Sequence, residues 1–183
     1  SPSSVPELGS IEMKKFTFAN INYTLRPLAP ADERKLQEFF YSHNKETLMM
    51  RYNHHITQMT REKSCNLVSV NQHTDLALCF TKKDYLGEAI QAVARYYFIE
   101  SINSGEVAFV IKESLRGRGM ASTLLGEMIA VAKMRKLDSL VACVRHDNGS
   151  MLKVFERAGF IRQPSEDFGE VSLKLSLNES SIS

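Results

Sequence analysis

At 183 residues the chain has room for one well-buried core and short tails, which excludes a second catalytic domain. Its 43 % apolar and 24 % charged residues are an ordinary globular balance. The 23 Lys and Arg against 21 Asp and Glu leave a net charge of +2, too little to grip nucleic acid mainly through phosphates, so no nucleic-acid partner is expected and any basic function is local.

No apolar run approaches the ~18 residues that span a bilayer, and the N-terminus lacks a basic-then-apolar leader, so the expectation is a soluble, cytoplasmic protein with no membrane partner. Cys65, Cys79 and Cys143 are odd in number, far apart and set among apolar neighbours, which suits reduced core thiols. A first residue of Ser1 leaves open that the chain is part of a longer polypeptide.

The opening SPSSVPELGS reads as a linker or tag-like tail, taken as residues 1–20, and residues 178–183 as a disordered tail. Between them, Tyr23 to Arg26 alternates like a strand, and Pro30 with Asp32 and Glu33 opens a helix whose Leu36, Phe39 and Phe40 form an apolar stripe. Thr47 to Thr60 gives no clean period and reads as loop with helical turns. Thr60 caps a helix to about Val70. Asp75 to Thr81 and Ala89 to Glu100 read as strands, the second with Ile90, Ala92, Ala94, Tyr96 and Phe98 on one face.

Glu106 to Ile111 is a further strand, followed by a glycine-bearing turn and a helix with Met120, Leu124, Leu125, Met128, Ile129 and Ala132 on one side. Leu140 to Val144 is a buried strand. Asp147 or Asn148 starts a last helix that stops at Ala158-Gly159, and Val171 to Leu177 closes the sheet. The order β-α-α-β-β-β-α-β-α-β-β argues for a mixed α/β sheet with helices on its faces.

The informative segment runs from Val107 to Ala121, a buried strand passing through Arg116-Gly117-Arg118-Gly119 into an amphipathic helix. Such a turn aims unpaired N–H groups and the positive end of a helix dipole at one spot, which suits a phosphate or pyrophosphate. Gly117 and Gly119 let the backbone approach a ligand, while Lys112, Arg116 and Arg118 add positive charge. The Gly-Lys-Ser/Thr of a P-loop is absent, and a dinucleotide turn would need glycine where Ser122 stands.

What remains, Arg116 to Ala121, resembles the Q/R-x-x-G-x-G/A signature of the GNAT family of acyl-CoA-dependent N-acetyltransferases. Asn148, Met151, Phe155, Gly159 and Phe160 resemble that family's N-x-x-A-x-x-x-Y-x-x-x-G-F helix. Phe39 to Ser42 leading to Met50-Arg51-Tyr52, and Val93 to Tyr97, are similar to one branch, the bacterial protein-lysine acetyltransferase domains. The resemblance spans roughly Tyr23 to Leu177 and implies an acetyltransferase domain over 21–177. It implies a mixed, mostly antiparallel sheet of six to seven strands flanked by about four helices.

The resemblance also implies acetyl-CoA as acyl donor, no metal, and an amine acceptor, a protein lysine first. Glu106, at the start of the strand before the turn, takes the place of the base that removes the amine proton, at the mouth of an apolar cleft that would raise its pKa. A solvated strand-end carboxylate is the competing reading, with Glu88 and Glu100 as weaker candidates. The main chain of Phe109, Val110 and Ile111 would pair with the pantetheine arm, an N–H near Val110 or Ile111 receiving the oxyanion. The pyrophosphate would lie on the amides of Arg116, Gly117, Arg118, Gly119, Met120 and Ala121, with Asn148 bonding the pantetheine or serving only as a helix cap.

Phe155 departs from the family pattern, standing where many members have a tyrosine that protonates the leaving thiolate; water, Tyr96 or His146 are the substitutes to weigh. His54-His55 are adjacent and have no metal-ligand spacing. Cys143 reads as packing, and Arg95, inside an apolar strand, as pairing with Glu88 or Glu100 more than binding an acidic substrate. Two other functions stay open: a small-amine acetyltransferase, and a non-catalytic acyl-CoA-binding regulatory module.

Overall fold

The structure, a computed structural model, describes residues 12–42, 70–165 and 168–178. The sheet begins earlier than the sequence predicts. Lys14–Phe18 (β1) pairs antiparallel with Ile21–Pro27 (β2) through Ala19 and Asn20, whose φ angles are 51° and 65°. Two left-handed residues in a two-residue loop match the twist of the strands they join. Phe16 and Phe18 lie 5.7 and 5.4 Å from the Phe80 ring, edge to face. The tail boundary at residue 20 is therefore corrected to before Lys14, because two phenylalanines in alternation bury one face of β1 against the core.

A single 3-10 turn, Pro30–Asp32, leads into Glu33–Tyr41 (α1), which buries Leu36, Phe39 and Phe40 as its periodicity requires. The expected loop Thr47 to Thr60 and the helix from Thr60 lie outside the described residues, as do Cys65 and the His54-His55 pair. Leu76–Asp84 (β3), Gly87–Ile99 (β4) and Ser104–Ile111 (β5) follow as antiparallel neighbours. Met120–Met134 (α2), Ser139–Arg145 (β6), Gly149–Arg157 (α3), Ile161–Gln163 (β7) and Glu170–Ser176 (β8) complete the chain. The strand order is β1-β2-β3-β4-β5-β6-β8-β7, and every pair is antiparallel except β5 with β6. The mixed, mostly antiparallel α/β class is the expected one; the described residues hold eight strands and three α-helices, β1 being the strand beyond the seven of the expected order.

The two faces of the sheet bury different residues. One face carries Leu25, Leu78, Phe80, Ala94, Tyr96, Val107 and Phe109 against Met120, Leu124, Leu125 and Met128 of α2 and Leu152 and Phe155 of α3. The other carries Ala77, Cys79, Ile90, Val93 and Val110 against Leu36, Phe39 and Phe40 of α1. Ile90 is on the α1 face and not with Ala92, Ala94 and Tyr96 as alternation predicts. The pairing with β3 shifts register between Phe80 and Thr81, and the extra β4 residue, Gln91, turns the earlier part of the strand over.

A compact ion network closes the α1 face. Arg26 donates to both oxygens of Asp32 (2.7 and 2.8 Å) and to Glu88 (2.8 Å), and the Thr81 hydroxyl also donates to Glu88 (2.8 Å). Burial alone would raise the pKa of Asp32, but its bonds from Arg26 and the Ala29 amide hold it below the usual carboxylate range; the Arg26 bond does the same for Glu88. Burial beside this network pushes the Cys79 thiol up to about 12, so it is a protonated packing group.

Candidate functional site

The two edges of β5 differ. Along one edge it pairs with β4 from Ser104 to Ile111; along the other it meets β6 only at Ser104, Gly105 and Glu106. Two buried serines pin that short parallel pair: Ser104 Oγ donates to the Ser139 carbonyl and Ser139 Oγ to Ser104 Oγ, each at 2.9 Å. Gly105 is required there, since a Cβ would stand 2.9 Å from Leu140 Cδ2 and 2.9 Å from Tyr96 Cδ1. Beyond Glu106 the strands part, and a cavity of about 450 Å³ opens between Val107 to Ile111 on one side and Cys143 to Arg145 on the other. A strand edge left open inside a fold can pair with an extended amide-bearing ligand.

The turn after β5 forms the next wall. A 3-10 turn, Glu113–Leu115, is followed by Gly117 (φ 78°) and Gly119 (φ 88°), the latter capping α2. No Cβ would collide at either glycine, so the left-handed backbone is what demands the residue. Among the described residues the amides of Gly117, Arg118 and Gly119 make no hydrogen bond, and those of Met120 and Ala121 are the free first-turn donors of α2. These donors, with the helix dipole behind them, fit a pyrophosphate. Arg116, Gly117, Gly119, Met120 and Ala121 line the cavity; Arg118 is exposed and outside that lining.

The third wall is α3. Asn148 caps it, its Oδ1 accepting from the Met151 amide (3.3 Å) and the Ser150 hydroxyl (3.2 Å), and it also lines the cavity. Phe155 is buried between Phe109 and Phe160, with ring centroids 5.5 and 4.9 Å away. Phe109, Val110 and Ile111 are brought together with Asn148 and the turn around one cavity. Sequence reasoning missed Cys143, Arg145, Lys153 and Arg157 in its walls; the lysine and arginine four apart on a helix starting at Asn148 were the available signal.

Glu106 stands at the closed end of the fork, beside Tyr97 of β4 and Val141 of β6, just before Val107 enters the cavity wall. It is exposed, so the expected apolar surround is not found; by alternation it lies on the same face of β5 as Val110, the face that α1 covers further along. Cys143 corrects the packing expectation: Ala142 and Val144 take the core positions of β6, and Cys143, between them, is exposed on the cavity side. Arg95 lies over the Tyr97 ring at 4.1 Å, a cation–π contact, while Glu88 is held by Arg26 at the far end of β4. Tyr96 is buried in the α2 face, its hydroxyl bonded by Arg135 at 2.9 Å and its pKa raised by burial, which removes it from the cavity as a proton donor.

Comparison with known proteins agrees with this geometry. Acetyltransferase Pat of Mycolicibacterium smegmatis is 28 % identical over 152 residues, 81 % of this chain; the chain spans 44 % of that relative's length. The crystal structure of the GNAT domain of S. lividans PAT superposes with a TM-score of 0.79 at 23 % identity, covering 90 % of this chain and 96 % of that one. The protein yncA of Salmonella typhimurium, solved with its cofactor acetyl-CoA, follows at 0.68 and 16 %, covering 86 % and 95 %. The sequence profile of the acetyltransferase (GNAT) domain matches residues 22–161, and the chain belongs to that family.

Proposed function

We propose that the chain transfers the acetyl group of acetyl-CoA to a protein lysine side chain, with Glu106 as general base. The observation that carries the reading is the juxtaposition of unbonded turn amides, the open edge of β5 and an exposed carboxylate at the point where that edge begins. The amides of the turn hold the pyrophosphate, the edge of Phe109 to Ile111 pairs with the pantetheine amides, and the thioester lies toward Glu106. A lysine of ordinary pKa ~10.4 must lose a proton to attack at pH 7, at a cost of about 4.6 kcal/mol, so placing a base counts for more than placing an acid.

The chemistry then runs in one sequence. Glu106 accepts the ammonium proton, directly or through water, and the amine nitrogen forms a bond to the thioester carbon. A main-chain N–H near Val110 or Ile111 steadies the oxyanion. The attacking nitrogen gives its second proton to solvent as the C–S bond breaks, and the thiolate, whose pKa of ~8.5 makes departure cost about 2 kcal/mol, is protonated by solvent; Phe155 has no proton to give. An acceptor carried on another protein suits Glu106, because the carboxylate is exposed rather than enclosed.

Assay of CoA release against protein and small-amine panels tests the acceptor class. Glu106→Gln should lower kcat about 10²-fold or more while acetyl-CoA affinity stays within about twofold. Full activity of that variant overturns the base assignment, turnover on small amines alone overturns the acceptor, and tight acetyl-CoA binding without turnover favours a regulatory acyl-CoA-binding module.

A further inference from the structure

Among the described residues, the walls of the cavity carry four cationic side chains, Arg116, Arg145, Lys153 and Arg157, and no carboxylate. In a chain of net charge +2 this is a strong local excess. Two of the four are accounted for. Arg145 is bound to Asp147 at 2.8 Å, and Arg116 extends from the turn whose amides fit the pyrophosphate.

Lys153 and Arg157 are not. Among the described residues neither takes part in an ion pair or hydrogen bond. The one acid of α3, Glu156, is bonded by Arg162 at 3.1 Å and is absent from the cavity wall. One turn apart on the same helix, about 6 Å along its axis, Lys153 and Arg157 share a stripe with Ser150 and the half-buried Val154, all four facing the cavity. Two neighbouring cations with no counter-charge repel each other, and a doubly charged phosphate monoester reverses that cost. Arginine offers it a fork of N–H donors and lysine a mobile point charge.

We propose that Lys153 and Arg157 form a subsite for a terminal phosphate monoester of the donor, the 3′-phosphate on the ribose of coenzyme A. Val154 between them offers an apolar surface to the base that this ribose carries. The inference rests on the coenzyme A reading above and adds to it a means of discrimination: the turn amides bind what all coenzyme A derivatives share, and α3 reads the phosphate that only the mature cofactor has.

The test compares CoA with 3′-dephospho-CoA by calorimetry on the full chain. The wild type should bind CoA about tenfold more tightly at low salt, with the preference shrinking as ionic strength rises. Combining Lys153→Gln with Arg157→Gln, exchanges that keep helix propensity, should bring the ratio to about one, and Lys153→Glu should push it lower still. A wild-type ratio of one, or a preference that survives the double exchange, overturns the subsite while CoA binding itself upholds the cofactor reading. Failure of both ligands to bind overturns the two together.

Discussion

The two ends of the β5–β6 pair follow one backbone path to opposite purposes. At the lower end Ser104, Gly105 and Glu106 are locked to Ser139, Leu140 and Val141 by ladder bonds, two buried hydroxyls and a glycine with no room for a methyl group. At the upper end the same strands diverge, and Phe109 and Phe155, in contact with each other, line the opening. The closed end supplies rigidity and the open end supplies unspent hydrogen-bonding capacity. An open strand edge of this kind can pair with an extended amide-bearing ligand.

Three changes would break or sharpen this contrast. The largest effect is expected from Phe155→Ala, which empties the floor of the open end: a loss of about 3–5 kcal/mol on chemical unfolding, with weaker acetyl-CoA binding. An unchanged unfolding midpoint would show that the opening is held by something else. Gly105→Ala acts on the closed end, where the added Cβ must displace Leu140 and Tyr96, and should cost about 1–3 kcal/mol; catalysis falls with it if the fork angle places Glu106.

The smallest effect is reserved for a region outside the fork. Asp32 and Glu88 are held below the usual carboxylate range by Arg26, so the unfolded chain binds more protons than the folded one as pH falls through that range. Their contribution to stability is therefore full above pH ~4.5, near the unperturbed values, and declines progressively as acid titrates the folded groups. Melting temperature followed from pH 7 to 3 should be flat and then drop, with a shallower drop when Asp32→Asn and Glu88→Gln are combined. An identical acid profile in that variant would remove the network from the account.

Much of the site was legible because its chemistry is local in sequence. The turn from Arg116 to Ala121 announces itself by two glycines between a strand and a helix, and Asn148 by standing where a helix must start. The α2 stripe and the α1 stripe follow from the 3.6-residue period alone. What escaped depends on partners that a single strand does not reveal. The Gln91 bulge is a relation between β4 and β3, so period-two counting assigned Ile90 to the wrong face.

Cys143 has apolar neighbours in sequence, yet the face it occupies is exposed because β5 has turned away from β6 there. Glu106 was expected to begin its strand, which in fact starts two residues earlier at Ser104, and its exposure is set by the neighbouring strands and not by its own alternation. Lys153 and Arg157 look like any solvated helix face until the cavity beside them is seen.

The hairpin of β1 and β2 has a practical side. Phe18 Cε1 lies 3.9 Å from where a Cβ on Gly119 would be, and Lys14 Nζ reaches Glu127 of α2 at 3.0 Å, so the first strand buttresses the shoulder of the glycine turn. An expression boundary drawn at residue 21, which the Ser/Pro-rich start invites, would amputate that buttress and bare Phe80 and Tyr23 to water, a recipe for insoluble protein whose cause lies far from any reacting atom.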